Sequence, residues 1–243
     1  QQASALSWWD WFGTQQSFKI RVTSIESPLK SINFAALRVK DAICDAFRNQ
    51  YDERPDVELV NPDVTLHLIL RRREFYLYID TSGEALFKRG YRVKDVEAPL
   101  RENLAAGILH LTGWTPELPL LDPMCGSGTF LAEAAMMAVH KFPGLGRDFA
   151  FQQLLNFDSK LWLQELKAAS NAQTAPKGLA LFGRDRESRA IETSRTNLKS
   201  IDLFKYVTLD KMDSAQGKAP AEKGIIVCNP PYGERLSDRK ILK

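Results

Sequence analysis

Leu120–Glu133 reads LLDPMCGSGTFLAE. A short apolar run ends in Asp122, Gly126 and Gly128 follow with one residue between them, and an Ala- and Met-rich stretch at helical spacing begins at Thr129. That is the pattern of a strand, a tight turn and a helix that starts beneath a bound ligand. Gly224–Tyr232, GIIVCNPPY, repeats the design with an apolar strand ahead of a rigid polar turn.

Outward from Leu120–Glu133, helices and strands alternate. Pro99–Leu111 reads as a helix with Pro in its first turn. Leu118–Asp122 reads as a strand and Thr129–His140 as a helix. Phe142–Asp148 is a loop leading into a Phe-, Leu- and Trp-rich helical insertion that runs to about Ala169. Gly178–Phe182, Val207–Leu209 and Ile225–Val227 read as strands, with a helix over Ser188–Ser200. Such alternation implies right-handed crossovers and a parallel, doubly wound α/β sheet.

Upstream the pattern differs. Ser17–Ile25 alternates apolar and polar residues as a half-buried strand does, and Ser31–Gln50 has a helical apolar face with no Gly or Pro. Val64–Leu70 and Phe75–Ile79 form a hairpin across the basic turn Arg71–Glu74. The expected organisation is a small α+β domain over 1–80, a linker over 81–97 containing the Gly- and Arg-rich Thr81–Lys94, and a parallel-sheet domain over 98–243. Tyr91, between Arg89 and Arg92, could stack on a base or pack against a neighbour; a solvated charge run explains the region equally well.

Composition excludes little. With 44% hydrophobic and 26% charged residues the chain has an ordinary globular balance, and no apolar run approaches the ~20 residues of a membrane span. The net charge is +3, and 14 Lys and Arg face 13 Asp and Glu through Asp95, so a nucleic-acid partner would have to be held by a local patch. The start, QQASALSWWDWFG, is not that of a signal peptide. Three separated cysteines, Cys44, Cys125 and Cys228, suit reduced thiols in a cytoplasmic protein. His67, His110 and His140 stand at no metal-ligand spacing to them, so no metal is expected.

Ligands of such sheets bind at the carboxyl ends of the strands, so the residues just after each strand matter most. A dinucleotide site would want a third glycine at Leu131 and an acid about 20 residues on. A phosphate-binding loop would want Gly-Lys-Ser/Thr, where this chain has Gly128-Thr129-Phe130. The acid ahead of the glycines would repel a pyrophosphate; it suits a cationic ligand, S-adenosylmethionine. The expected donor site takes Asp122, Pro123, Met124, Gly126, Ser127, Gly128 and Thr129 from the first strand end. Asp185 and Arg186 come from the second, and Asp213 from the third. Asp185 would accept from ribose hydroxyls and Asp213 from the adenine amine. Each Asp alone is better explained as a cap or turn residue; their recurrence at successive strand ends favours a ligand.

The expected catalytic set is Asn229, Pro230, Pro231 and Tyr232. Two prolines fix the backbone, so the Asn side chain and its neighbouring carbonyls can grip an exocyclic NH₂ while Tyr232 stacks on the planar ring. Cys228 continues an apolar strand and is expected to be a small buried residue; neither it nor Cys125 is accompanied by a base, and neither is assigned a catalytic role.

At these motifs the chain resembles the class I methyltransferases that carry an N-terminal THUMP domain. DPMCGSGTFLAEAA is similar to their glycine motif and NPPYGERL to their catalytic motif; APLRENLAAGIL (Ala98–Leu109) resembles the helix ahead of the donor site. SGEALFKRGYR (Ser82–Arg92) resembles the junction after the THUMP unit, and PGLGRDFAFQQL (Pro143–Leu154) the branch acting on bacterial large-subunit ribosomal RNA. The resemblance implies a Rossmann-like fold, S-adenosylmethionine as cofactor, RNA as partner and methylation of a guanine N2. It departs from the family pattern in that Arg184 and Arg186 flank Asp185. It also implies strands beyond Tyr232 and an earlier start to the THUMP unit, so the chain is expected to be incomplete at both ends. Transfer RNA guanine N2, adenine N6 in nucleic acid and a glutamine side chain stay open as substrates, as does a non-catalytic RNA-binding or assembly module.

Overall fold

A computed structural model describes residues 2–94, 100–214 and 216–230. The chain packs as two units, residues 1–85 with 148–163, and residues 86–147 with 164–243.

In the first unit, β1 (Ser17–Ile25), α1 (Ile32–Tyr51), β2 (Asp56–Val57), β3 (Val64–Arg71) and β4 (Glu74–Ile79) follow one another. The sheet order is β2-β1-β3-β4, with β1 parallel to β2 and β3 and only the β3–β4 hairpin antiparallel. Parallel pairing of β1 and β3 needs a crossover, and α1 supplies it. Ser31 caps α1 by accepting from the Phe34 amide at 3.3 Å, and Asp52 in the left-handed region ends it. Val64, Leu66, Leu68 and Leu70 alternate inward along β3 and join Phe18, Ile43 and Phe47 in the core. The N-terminal segment, to which the sequence reading gave no structure, forms two short 3₁₀ turns that bury Trp8 and Phe12 in that core.

The sequence reading places the linker at 81–97 and runs 98–243 as one domain. By packing, the division falls at Ala85/Leu86, and Asp148–Leu163 belongs with the N-terminal unit. Leu154 is buried in that core, the Leu155 amide donates to the Trp11 carbonyl at 2.9 Å, and the Phe151 amide to the Thr81 carbonyl at 3.1 Å. Phe149 and Phe151 meet Trp162 edge-on at the start of α4 (Ser159–Asn171).

The second unit contains α2 (Glu102–Leu111), β5 (Leu120–Asp122), α3 (Thr129–Ala138), β6 (Leu181–Asp185), α5 (Ser188–Ser200), β7 (Val207–Lys211) and β8 (Ile225–Ile226). Its sheet has the order β7-β6-β5-β8 and every pairing is parallel. All four carboxyl ends therefore lie along one edge. α3 is buried on nearly its whole circumference, which its run of alanines permits. β6 begins and ends later than the expected Gly178–Phe182, running through Gly183 to Asp185. At Gly183 a β-carbon would stand 2.4 Å from a methyl of Leu131 and 2.7 Å from one of Leu209, so this glycine marks close packing inside a strand rather than its end.

Candidate methyl-donor site

Asp122 is the last residue of β5 and is 2% exposed. The Met124 amide donates to its Oδ1 at 3.2 Å. Burial pushes its carboxyl up to about 7, and the nearby Asp185 charge adds to the rise while the Met124 hydrogen bond opposes it. A buried carboxylate this poorly compensated is chemically suited to a cationic group.

The turn that follows is pinned from below. The Gly126 amide donates to Asp185 Oδ2 at 3.0 Å, and the Gly126 carbonyl accepts from Ser194 Oγ at 2.8 Å. The Ser127 carbonyl accepts from Asn197 Nδ2 at 3.1 Å, and the Cys125 amide donates to the Arg184 carbonyl at 2.8 Å. β6 and α5 thus fix the turn before any ligand arrives. Gly126 and Gly128 both have positive φ, at 54° and 79°. The sequence reading takes the missing β-carbons as room for a ligand. At Gly128 that space belongs to Ser194, whose Oγ would stand 3.0 Å from an added β-carbon. Pro123 is half-buried and Met124 exposed, whereas Ser127 and Thr129 are buried.

Asp185 ends β6 with both carboxylate oxygens engaged: Oδ2 with the Gly126 amide and Oδ1 with the Glu187 amide, each at 3.0 Å. It ties β6 to the glycine turn, and each oxygen keeps a further lone pair for another donor. Arg186 is exposed beside Glu187 at 3.5 Å, a surface pair of little energetic weight. Asp213 lies just past β7 and is exposed. Asn229 is half-buried and Pro230 exposed, both just past β8, where the Val227 amide still donates to the Leu121 carbonyl at 3.0 Å. Pro231 and Tyr232 lie outside the described residues. Parallel strand ends thus bring Asp122, Asp185, Asp213 and Asn229 to one sheet edge.

Cys125 is buried, and burial together with the Asp122 and Asp185 charges pushes its thiol upward, leaving no thiolate nucleophile at neutral pH. Cys228 is exposed rather than buried, because β8 ends at Ile226 and the chain has left the sheet. Its thiol is also raised, by desolvation and then by the Asp122 charge. Among the described residues no group of three or more His, Cys, Asp or Glu is placed to hold a metal ion.

The sequence reading missed the supports. Arg92, taken as linker, is folded into the second unit. Its Nε donates to Glu102 at 3.0 Å, and its Nη2 to the Leu100 carbonyl at 2.7 Å and to Thr129 Oγ1 at 3.3 Å. Asn197 Oδ1 accepts from the Val93 and Lys94 amides, each at 3.0 Å, while its Nδ2 reaches the Lys94 and Ser127 carbonyls. Tyr91, left open between stacking and packing, is buried, with its hydroxyl donating to Glu133 at 3.0 Å. The available signal was the polar pair Ser194 and Asn197, three apart on one helix, where Asn is a poor helix former.

A family model described as the RMKL-like methyltransferase domain matches residues 89–243, and a THUMP-domain model matches residues 1–80. The chain is 37% identical over 246 residues to the ribosomal RNA large subunit methyltransferase K/L of Aliivibrio fischeri (strain ATCC 700601 / ES114). It is 40% identical over 247 residues to the protein of the same name from Desulfotalea psychrophila. These matches take in 99% and 98% of this chain but 35% and 34% of the relatives, so the chain spans about a third of their length. The crystal structure of SMU.472 complexed with SAH aligns over 98% of this chain and 63% of that one, at 33% identity and a TM-score of 0.88. With the parallel sheet and pinned glycine turn already described, these matches establish that the chain belongs to the RMKL-like methyltransferase domain family, of class I methyltransferase fold, with a THUMP domain at its N-terminal side.

Proposed function

We propose that the protein is an S-adenosylmethionine-dependent RNA methyltransferase that modifies the exocyclic N2 of a guanine in large-subunit ribosomal RNA. The observation that carries this reading is the convergence of buried Asp122, the pinned glycine turn and Asn229 on one edge of a parallel sheet. Relatives named for ribosomal RNA methylation support the substrate class. The residues present fit the donor: Asp122 offers a desolvated carboxylate to a cationic group, Asp185 and Asp213 offer acceptors to ribose and adenine, and the turn from Pro123 to Thr129 supplies backbone. When bound, the donor supplies an electrophilic methyl group.

Asn229 and the Pro230 carbonyl hold the guanine amine, with Pro231 stiffening the loop and Tyr232 stacking on the ring. A paired guanine must be unstacked to reach them. Catalysis here rests on positioning, since nothing covalent is asked of the protein. Residues 1–85 with 148–163 act as the RNA-holding unit and residues 86–147 with 164–243 as the methyl-transfer unit.

Labelled-methyl transfer in the full-length protein tests the proposal, with ribosomal RNA, transfer RNA and duplex DNA offered in parallel. Label on N2-methylguanine of large-subunit RNA is expected, reduced at least 100-fold by Asn229→Ala, a loss of oriented contacts worth roughly 3 kcal/mol. Near-normal transfer by that variant would remove Asn229 from the mechanism; transfer only to DNA or transfer RNA would replace the substrate.

A further inference from the structure

The two faces of the N-terminal sheet differ in chemistry. One buries Phe18, Val64, Leu66 and Leu68. On the other, register sets residues in rows across the strands. Arg21 pairs with His67 and His67 with Tyr78; Thr23 pairs with Ile69 and Ile69 with Tyr76. Strands stand about 4.8 Å apart, so each row is a continuous strip. Tyr76 and Tyr78 are 40% and 52% exposed, and Arg21, Thr23 and Arg71 are also exposed. The two tyrosine rings are near-parallel, centroids 6.4 Å apart with 18° between their planes.

The charges on this face favour an anion. Lys19, Arg21 and Arg71 point from it, with Arg73 at the hairpin tip. Opposing them are Glu74, whose carboxylate accepts from the Tyr76 hydroxyl at 2.8 Å, and Asp80, which lies 3.7 Å from His67. Arg72 is paired with Glu26. A second copy of the chain, docking face to face, would set the same cations against themselves. A duplex would offer phosphates but hide the base faces that parallel rings recognise.

We propose that this face is a stacking platform for single-stranded RNA, with Tyr76 and Tyr78 each taking an unpaired base and Arg21 and Arg71 contacting the flanking phosphates. The proposal rests on the RNA-methylation reading and adds to it the strand state of the RNA and the surface that holds it. Aromatic rings take any base, so the platform adds affinity for an unpaired segment rather than sequence choice.

The test measures binding of the full chain to a fluorescein-labelled single-stranded RNA of about 12 nucleotides and to a duplex of the same sequence, by anisotropy. Tyr76→Ala with Tyr78→Ala is expected to weaken single-strand binding at least about tenfold, while Tyr76→Phe with Tyr78→Phe stays within about threefold. Arg21→Ala and Arg71→Ala each reduce the slope of log K against log salt by about 0.7. Crosslinking of 4-thiouridine RNA to the unaltered chain, mapped by mass spectrometry, requires no variant and should mark Tyr76 or Tyr78.

Unchanged binding by the alanine pair, equal loss on the duplex, or crosslinks confined to other residues would overturn the platform. So would light scattering that finds a dimer in the unaltered chain and a monomer in the alanine pair. If the full-length protein methylates ribosomal RNA while any of these holds, only the platform falls. If it neither binds nor methylates any RNA, the reading beneath it falls as well.

Discussion

In the proposed function, Asp122 is the residue that pairs with the donor's cationic group. Its carboxyl is pushed up to about 7 in the folded chain, whereas an unfolded chain releases that proton near 3.9. Between these values the native protein keeps a proton that the unfolded chain has lost. Stability without donor therefore falls as pH rises from about 4 to about 7 and stays lower above that, by an amount on the order of a few kcal/mol. Asp122→Asn removes the cost, and its melting temperature without donor should exceed that of the unaltered chain at pH 8, with a smaller difference at pH 5. The same change should abolish donor binding, because the amide cannot compensate a cation. Calorimetric titration of S-adenosylmethionine should show affinity in the unaltered chain dropping up to tenfold per pH unit below about 7. Affinity independent of pH would sink the charge-pairing role. The sequence pointed to Asp122 through its place at a strand end; its burial, which gives the residue its force, is a property of α3 and β6 packed around it.

The segment Arg89–Lys94 is an element without regular structure, and hydrogen bonds to side chains hold it. Asn197→Ala would leave the Lys94 amide and the buried Ser127 carbonyl without their Asn197 partner, at about 1–3 kcal/mol for a buried group left unpaired, while the Val93 amide keeps the Tyr91 carbonyl at 2.9 Å. Stability lowered by roughly 1–3 kcal/mol in denaturant melts is expected, with faster hydrogen exchange at Lys94. Gly183→Ala should cost about 1–3 kcal/mol by overpacking against Leu131 and Leu209, measurable in the same melts. Neither partner could be read from local composition. A Gly- and Arg-rich stretch has the composition of a linker, and a glycine within an apolar run looks like a strand end; in both places partners distant in the chain overrode local propensity.

The whole molecule shows the same division of causes. Leu154, carried on a segment some seventy residues beyond the rest of the N-terminal unit, lies 7% exposed in that unit's core. Leu154→Ala should lower the stability of that unit by about 2–4 kcal/mol while leaving donor affinity unchanged, as pulse proteolysis and calorimetry would report. No helix among the described residues is long and apolar enough to cross a membrane. The sequence alone determined the alternation of strands and helices, the parallel sheet, the acidic strand ends and the two polar turns, because these follow from local periodicity and turn chemistry. Ser188–Ser200 was legible to the residue. Only the tertiary structure decided that Asp148–Leu163 packs with the N-terminal unit, that Arg92 and Asn197 brace the glycine turn, and that the β-carbon missing at Gly128 lets the turn close on Ser194. Those features depend on which buried polar and apolar groups meet across the chain, and no spacing along a single strand or helix encodes that meeting.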